Sequence, residues 1–399
     1  MRTVEISVAF MPLVDAAPLI VAQELGFAET EGVSLDLVAA PSWSSLRDML
    51  AFGRVDAAHL LSPLPVAMAL GLGGVSTPIS AVSVLSANGN VLGVGRGLER
   101  RLRDAGYGFD FADPVKAATA LAVAGNGDRD RDRNGPIIFG VPFPFSMHVE
   151  LLRYWCAGTD LGETGIEIRT VPPPLMADAL AAGDIDAFCV GEPWGSVAVD
   201  QGVGALILPG RSIWEFAPEK VLAVRTDWAE TEPDLLGRLM RAVWRAGRWL
   251  GNPDSVGAAS NILSRKTYLD VPAELIDRAL SGDLTVSASG DQRRVDHFVE
   301  FHAGAASFPW RSQARWIANR LRQSHEPAGG VSLDAAAAVF RSDLYRRHLA
   351  ASGADLPGAS EKLEGSIRHP TAVASLNGGT ILLPDRFFDG RIFDPSGVE

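Results

Sequence analysis

The regular alternation of short β-branched runs with helical stretches constrains the fold of this chain more than any other feature. Strand-like and helix-like segments take turns at residues 4–9, 16–25, 33–38, 44–52 and 55–60, and again at 137–141, 147–156, 166–171, 175–181, 185–190 and 205–208. This pattern is typical of mostly parallel sheets covered by helices. The sequence therefore predicts two α/β units.

A weak internal repeat supports this division. The segment Gly-Arg-Val-Asp-Ala-Ala at residues 53–58 recurs as Gly-Asp-Ile-Asp-Ala-Phe at residues 183–188, each time between a predicted helix and a predicted strand. Glycine turns are common at such places, so one match alone is weak support. Its equivalent place in both units indicates paired lobes.

Composition narrows the classes of function. The 399 residues carry a net charge of −12, which argues against a nucleic-acid surface because phosphate binding needs clustered positive charge. The alternating Asp-Arg run at residues 128–133 is expected to be a solvated loop, with a partner contact as the alternative. Cys156 and Cys189 have no metal-ligand spacing and are expected to be buried free thiols, with a disulfide as the alternative.

Neither a secretory leader nor a membrane span is visible in the sequence. Glu5 interrupts the N-terminal apolar segment, where a signal peptide needs continuous apolar residues, and no uncharged apolar run reaches membrane-spanning length. We therefore expect a cytoplasmic protein.

The pattern becomes helical and then glycine-rich beyond about Pro233. Helices are predicted at residues 235–250, 254–263, 273–280, 293–301 and 312–321, and the glycine-rich tail is predicted to wrap the main body in extended form. The Gly-rich segment 93–97 lacks the spacing of a dinucleotide-binding loop and is interpreted as a turn. No phosphate-binding loop, nucleophile elbow or zinc-protease motif occurs, so the sequence motifs do not favour an enzymatic function.

Single polar residues near the predicted C-terminal ends of strands are candidates for ligand binding, because open α/β sheets bind ligands at that edge. Trp43 begins a predicted helix with Ser42 as N-cap, Asn90 ends an Asn-Gly-Asn turn, and His148 lies in a first helical turn, where backbone N–H groups favour an anion. Each has a structural alternative: a helix-start aromatic, a turn residue and a surface histidine.

Two longer motifs supply further candidates. The Gly-Glu-Pro-Trp segment that starts at Gly191 directly follows a strand, so its backbone donors point to the same edge, and glycine allows a small ligand to approach closely. Lys220 lies near the predicted crossing between lobes. A buried lysine there needs an anionic partner, and the alternative is a surface pair with Glu219.

Several long motifs in order resemble the nitrate and bicarbonate branch of the periplasmic-type solute-binding proteins over nearly the whole chain. They are Ala-Pro-Ser-Trp at 40–43, Ser-Ala-Asn-Gly-Asn at 86–90, Leu-Arg-Tyr-Trp at 152–155, Val-Pro-Pro-Pro at 171–174, Phe-Cys-Val-Gly-Glu-Pro-Trp at 188–194, Pro-Glu-Lys-Val at 218–221, Phe-Pro-Trp at 308–310 and Phe-Arg-Ser-Asp-Leu-Tyr at 340–345. The resemblance implies an α/β, periplasmic-binding-protein-like (type II) fold with two lobes, a ligand cleft and a mostly helical C-terminal extension. The first part of lobe I is expected at residues 1–88, lobe II at 89–213, and the return to lobe I with the C-terminal wrap at 214–399.

Because the chain begins at its first strand, it looks like the cytoplasmic nitrate/nitrite sensor subfamily called NasS. That resemblance implies that the ligand-free sensor holds an ANTAR-type RNA-binding antiterminator (NasT-like) inactive and releases it when nitrate or nitrite binds, which permits expression of nitrate-assimilation genes. It implies no catalysis, no cofactor, no metal, and no direct contact with nucleic acid or membrane.

By the same resemblance, the residues that bind nitrate or nitrite are Trp43, Asn90, His148, Gly191 with Glu192, and Lys220. Lys220 would supply the charge, His148 and Asn90 hydrogen bonds, Gly191 a backbone N–H, and Trp43 an apolar wall or an indole donor. The Glu192 carboxylate is expected to point away from the anion or to be paired. Asn90 is one methylene shorter than the family's usual Gln, which leaves direct contact and contact through water as alternatives.

Two other functions fit the same fold. One is the binding subunit of an importer for nitrate, bicarbonate or a sulfonate. The other is an enzyme on the two-lobed fold, for which Glu192 and His148 are the acid–base pair that the sequence nominates.

Overall fold

The computed structural model describes residues 3–126, 136–325 and 331–397. Its strands are β1 (Val4–Phe10), β2 (Val33–Ala39), β3 (Ala57–Leu61), β4 (Ile79–Asn88), β5 (Asn90–Gly95), β6 (Ile137–Val141), β7 (Ile166–Thr170), β8 (Ala187–Gly191), β9 (Gly204–Pro209), β10 (Pro218–Arg225), β11 (Asp283–Thr285), β12 (Gln292–Arg294), β13 (Val299–Glu300), β14 (Thr371–Ser375) and β15 (Gly378–Leu382). Its helices are α1 (Ala17–Glu24), α2 (Phe27–Thr30), α3 (Trp43–Ala51), α4 (Pro63–Ala69), α5 (Arg96–Asp104), α6 (Pro114–Asn126), α7 (Met147–Ala157), α8 (Leu161–Thr164), α9 (Met176–Ala182), α10 (Trp194–Asp200), α11 (Thr226–Thr231), α12 (Pro233–Leu250), α13 (Val256–Leu263), α14 (Ala273–Ser281), α15 (Arg311–Ser324), α16 (Leu333–Ala337) and α17 (Ser342–Leu349). The Asp-Arg run at 128–133 lies outside the described residues.

Two mixed sheets form the two lobes. The strand order is β13-β4-β10-β3-β1-β2 in the first sheet and β7-β6-β8-β5-β9 in the second. Strands β1, β2 and β3 are parallel, as are β6, β7 and β8, but β10 runs antiparallel to β3 and β4, and β5 runs antiparallel to β8 and β9. The prediction of mostly parallel sheets is therefore wrong, because the strands that lead the chain into and out of the second lobe run against their neighbours.

The chain passes between the lobes twice. At the first passage β4 ends at Asn88 and β5 begins just after Gly89, and both residues have positive φ, 59° and 97°. The second passage is the segment 210–217 between β9 and β10. Asn88 joins the passages, because its Nδ2 donates to Glu215 O at 2.8 Å and its Oδ1 accepts from Ala217 N at 3.1 Å.

The repeated segments occupy equivalent positions in the two lobes. In each copy a glycine with positive φ ends a helix, and the aspartate that follows ties the next strand to its neighbour. Asp56 Oδ2 accepts from Ser7 N on β1 at 2.9 Å, and Asp186 Oδ2 accepts from Ile138 N on β6 at 3.0 Å. The repeat therefore marks paired lobes, as the sequence indicated.

Two local predictions are wrong. Segment 93–97 is not a turn, because Gly93 lies inside β5 where an added Cβ would be 2.2 Å from the Phe188 ring, and α5 follows directly. Residues 293–301 form no helix, because β13 pairs with the edge of β4. Tertiary pairing overrides a local helical pattern in that segment.

The C-terminal part is helical and then extended, as predicted. Helix α12 packs against α1 and α17, and after α17 the chain runs over the surface without a further α-helix in the described residues, with the hairpin β14–β15 and a 3-10 helix at Pro395–Gly397. Its end lies along the second passage, where Phe388 N donates to Ile213 O and Glu215 N donates to Arg386 O, both at 2.9 Å. The C-terminal segment therefore braces the junction between the lobes.

Two further predictions are confirmed, namely the buried free thiols and the Ser42 cap. Cys156 and Cys189 are buried free thiols. The Ser42 side chain caps α3 and the Ser146 side chain caps α7. Within the described residues, no helix combines the length and apolar character that crossing a membrane requires.

Candidate functional site

Lys220 lies at the centre of the junction between the lobes and is fully buried. Its Nζ donates to Asp15 Oδ2 at 2.7 Å and to Glu219 Oε1 at 3.0 Å. The pairing of β10 with β4 shifts register at Lys220, and this bulge turns two neighbouring side chains towards one site. The alternative of a surface pair with Glu219 is therefore wrong, although the pair itself exists.

Glu219 links the two lobes. Its Oε2 accepts from Asn90 Nδ2, on the first strand of lobe II, at 2.8 Å. Its Oε1 lies 3.3 Å from His148 Nδ1, a contact without hydrogen-bond geometry. Asn90 has room for this arrangement because Gly210 faces it, where an added Cβ would lie 1.7 Å from Asn90 Oδ1.

His148 is placed by the start of α7. Ser146 caps this helix by accepting from Val149 N at 3.3 Å, so His148 is held in the first turn, near the positive end of the helix dipole. The ring is buried, and its Nε2 is turned towards Gly191, where an added Cβ would be 3.8 Å from that nitrogen. Burial, with the nearby Lys220, holds the pKa of His148 well below its usual range.

Trp43 forms one wall of the site from the start of α3. Its ring centroid lies 5.6 Å from Lys220 Nζ and 5.7 Å from the His59 ring. The indole is buried, and its Nε1 has no hydrogen-bond partner among the described residues. Trp43 therefore offers both an apolar face and a free donor.

The segment from Gly191 to Trp194 closes the site from lobe II. Gly191 ends β8, and an added Cβ there would be 3.8 Å from Asp15 Oδ2. Glu192 O accepts from Val14 N, and Trp194 Nε1 donates to Pro12 O, both at 2.9 Å across the junction. The Glu192 backbone and the Trp194 indole, rather than the Glu192 carboxylate, therefore face lobe I.

The Glu192 carboxylate points into its own lobe, as expected. Its Oε2 accepts from Ser196 N at 3.0 Å on α10. Burial raises the pKa of Glu192 to about 7, against the opposing hydrogen bonds from Ser196. Among the described residues, the carboxylate within 4.0 Å of His148 is that of Glu219, so the nominated pair of Glu192 with His148 is not formed.

Sequence reasoning missed Asp15, His59 and Glu219. Asp15 lies in a short 3-10 helix after β1, and its Oδ1 is 3.0 Å from His59 Nε2 on β3. Met11 N donates to His59 Nδ1 over a long 3.5 Å, which favours a ring proton on Nε2, although the contact of Nε2 with Asp15 Oδ1 lacks hydrogen-bond geometry. A signal was present for Asp15 and His59, because each is a lone polar residue within an apolar run, whereas Glu219 stands beside the charged Lys220.

The buried charges hold each other in place. Burial opposes ionisation of Asp15, but Lys220 and His59 outweigh it and keep the pKa of this carboxyl well below its usual range. Burial likewise disfavours charge on Lys220, yet the two carboxylates raise its pKa above the ordinary value. Within the described residues, no group of His, Cys, Asp and Glu side chains suits a metal ion.

The structure thus brings the predicted residues into one buried site at the junction of the lobes. They are Trp43, Asn90, His148, Gly191 and Lys220, with Glu192 present through its backbone. The site combines one cation, free donors from both lobes and an aromatic wall. A cation and free donors suit a small anion, whereas the Asp15 and Glu219 carboxylates that accompany Lys220 oppose one.

Comparison with known proteins agrees with this geometry. The model of the NMT1-like family matches residues 2–264. The nitrate/nitrite binding protein NrtA of Nostoc sp. is 27% identical over 100% of this chain and 84% of its own length, and NrtA of Synechocystis sp. is 30% identical over 98% of this chain and 82% of its own. The crystal structure of the periplasmic nitrate-binding protein NrtA from Synechocystis PCC 6803 has a TM-score of 0.80 at 26% identity, covering 99% of this chain and 97% of that chain.

These similarities show the periplasmic-binding-protein-like fold that the motifs implied. They extend over both lobes and the C-terminal extension, since nearly the whole chain is matched. Both NrtA relatives are named as nitrate/nitrite binding proteins. The chain therefore belongs to the NMT1-like family, and the nitrate-binding NrtA proteins are among its relatives.

Proposed function

We propose that this protein binds nitrate or nitrite in the cleft between its lobes. The observation that carries the proposal is the buried Lys220 together with Trp43 Nε1 and the His148 ring. The indole N–H and both ring nitrogens, one of which carries the proton of the neutral ring, have no hydrogen-bond partner among the described residues. Buried donors of this kind are costly unless a ligand satisfies them. The relatives named for nitrate and nitrite support the choice of anion.

Nitrate suits the chemistry of this site. It is small, planar and weakly basic, so one cation with several neutral donors can compensate its desolvation. The Trp43 ring offers a flat wall for a planar ion. Gly191 leaves its backbone accessible, since any side chain there would approach Asp15 and His148.

Closure of the lobes on the anion is the proposed conformational response. Glu192, Trp194 and Glu219 already make hydrogen bonds or close contacts across the junction. A ligand that contacts residues of both lobes binds the closed form better and shifts the equilibrium towards it.

The finer proposal is a cytoplasmic sensor. In the ligand-free form the protein sequesters an ANTAR-type antiterminator, and nitrate or nitrite releases this partner. The motif resemblance to the NasS subfamily supports this role. The second candidate is the binding subunit of an importer, and the similarity to a protein named as periplasmic, with a TM-score of 0.80, favours it.

Isothermal titration of the purified protein with nitrate, nitrite, bicarbonate and an alkanesulfonate tests the binding proposal. We expect micromolar binding of nitrate or nitrite and much weaker binding of the other two. Binding heat with only bicarbonate or only the sulfonate would identify that anion as the ligand instead of nitrate. No binding heat with any of the four anions would contradict the proposed function.

A pull-down with a purified ANTAR-type antiterminator, with and without nitrate, separates the two roles. The sensor role requires a complex that forms without nitrate and dissociates when nitrate is added. A complex of equal strength in both conditions, or no complex, contradicts the sensor and favours the importer subunit.

A further inference from the structure

The cleft carries more negative charge than an anion-binding site can easily tolerate. Its charged and titratable side chains, from every element packed around it, are Lys220, Asp15, Glu219, His59, His148 and Cys189. The Glu192 carboxylate is also buried at this junction, but it is turned into lobe II, where its Oε2 accepts from Ser196 N at 3.0 Å. With both histidines and the thiol neutral, one positive charge faces two carboxylates. A monoanion adds a further negative charge where water is excluded, and this is costly unless a proton enters as well.

We propose that Glu219 takes up one proton when the anion binds, and that the protonated carboxyl sets the tautomer of His148. This inference rests on the proposed function of the cleft. Asp15 is not the acceptor, because its Oδ2 accepts from Lys220 Nζ at 2.7 Å and its Oδ1 lies 3.0 Å from His59 Nε2. Glu219 shares Oε1 between Lys220 Nζ at 3.0 Å and His148 Nδ1 at 3.3 Å, so this oxygen can exchange a proton with the ring.

The proton decides which nitrogen of His148 faces the anion as a donor. An ionised Glu219 favours a proton on Nδ1, which leaves a lone pair on Nε2. Because Nε2 is the nitrogen turned towards Gly191 and the cleft, that lone pair would face the anion. A proton on Glu219 Oε1 is donated to Nδ1 instead, after a small shift of either side chain. The proton of the neutral ring then lies on Nε2, where it is donated to the anion.

The pKa values of Glu219 and His148 agree with a proton on the Glu219 carboxyl. Burial raises the pKa of Glu219 to about 7, against the opposing attraction of Lys220, whereas burial lowers the pKa of His148 well below its usual range. A proton therefore resides more easily on the carboxyl than on the ring. We expect nitrate affinity to be constant below about pH 7. Above it, affinity should fall by about tenfold per pH unit, the linkage of one proton to one ligand.

Titration of the full chain with sodium nitrate in buffers of different ionisation enthalpy tests the inference. The titration is made about one pH unit above the pKa of Glu219. There the dependence of the apparent binding enthalpy on the ionisation enthalpy of the buffer gives the number of protons taken up, and we expect about one. Glu219→Gln removes the group that takes up the proton, and it leaves an amide oxygen that can accept from Asn90 and an NH₂ that can donate to His148. That NH₂ cannot accept from Lys220 Nζ as Oε1 does, so nitrate affinity should be lower than in the unmodified chain. This variant should bind nitrate without proton uptake and without the pH dependence.

The ¹⁵N chemical shifts of the His148 ring report which ring nitrogen carries the proton. A merely structural role of Glu219 would not change them. The nitrate-bound protein should carry its ring proton on Nε2 in both the unmodified chain and the variant. Glu364→Gln, in a buried carboxylate outside the cleft, serves as a control and should leave proton uptake unchanged.

The outcomes are distinguishable. Nitrate binding without proton uptake in the unmodified chain overturns the inference and leaves the proposed function intact. Proton uptake that persists in Glu219→Gln also overturns it, because the proton then goes to another group. No binding of nitrate or nitrite at all overturns the proposed function together with this inference. The measurement on the unmodified chain decides the matter if the variant does not fold.

Discussion

Two buried clusters in this protein have the same composition but different surroundings. Each places one lysine between two carboxylates and near a tryptophan ring. The cleft cluster contains Lys220, Asp15, Glu219 and Trp43, and the C-terminal cluster contains Lys362, Glu364, Asp385 and Trp310. The distance from the lysine nitrogen to the ring centroid is 5.6 Å in the first and 5.7 Å in the second.

The C-terminal cluster is internally satisfied. Glu364 Oε1 accepts from Ser312 Oγ at 2.6 Å, and Asp385 Oδ1 accepts from Ile367 N at 2.8 Å, while Lys362 pairs with the other oxygen of each. These contacts fasten the extended C-terminal segment to the start of α15. No part of this cluster comes from lobe II, so it can hold a segment in place without sensing lobe closure.

The cleft cluster has unpaired partners and a bridging position. His148 brings two ring nitrogens without hydrogen-bond partners among the described residues, and Glu219 contacts side chains of lobe II. A buried lysine between carboxylates is thus no sign of a binding site by itself. The free donors and the contribution from two lobes make the difference.

The largest expected effect comes from removing the cleft lysine. Lys220→Met should weaken nitrate binding by about 100-fold or more, because a charged partner of a buried site is lost. Isothermal titration measures this loss, and circular dichroism checks that the variant is folded. A folded variant with unchanged affinity would show that Lys220 does not bind the anion.

The matched change in the C-terminal cluster should affect stability instead. Lys362→Met leaves Glu364 and Asp385 without their cation and should lower the free energy of unfolding by about 3 kcal/mol. Urea unfolding measures this change. Nitrate affinity of the folded variant should stay the same, and a large loss of affinity would mean that the two clusters are coupled.

The pH dependence of stability tests the raised pKa of Glu219 in the cleft cluster. Burial raises the pKa of Glu219 from 4.5 to about 7, so its contribution to stability is fully present below about pH 4.5 and is lost as the pH rises to about 7. Glu219→Gln should remove this decline, on the order of 1 to 3 kcal/mol, from the ligand-free protein. Unfolding curves across this range that match those of the unmodified chain would contradict a raised pKa.

The smallest expected effect comes from replacing the tryptophan of each cluster, Trp43 or Trp310. Trp43→Phe keeps an aromatic wall but removes Nε1, and nitrate affinity should fall by roughly threefold to tenfold, the value of one hydrogen bond. Trp310→Phe is the control, since that indole is buried near Lys362 and should not influence nitrate binding. Equal effects in both variants would assign the loss to packing rather than to a donor in the cleft.

Much of this architecture could be predicted from the sequence. The alternation of strands and helices, the repeated Gly-x-x-Asp segments and the capping serine Ser42 are local signals, because backbone conformation and helix ends depend on nearby residues. They placed Trp43 and His148 at helix starts. The motifs then indicated which residues share an edge of the lobes.

The tertiary structure alone decided how the charges of the site meet. Adjacent residues in a regular strand face opposite sides, so the sequence gives no reason for Glu219 and Lys220 to share one site. The register shift in the pairing of β10 with β4 brings them together, and the approach of β1 and β3 adds Asp15 and His59. Register and strand order depend on contacts between segments far apart in the chain, and no local pattern encodes them.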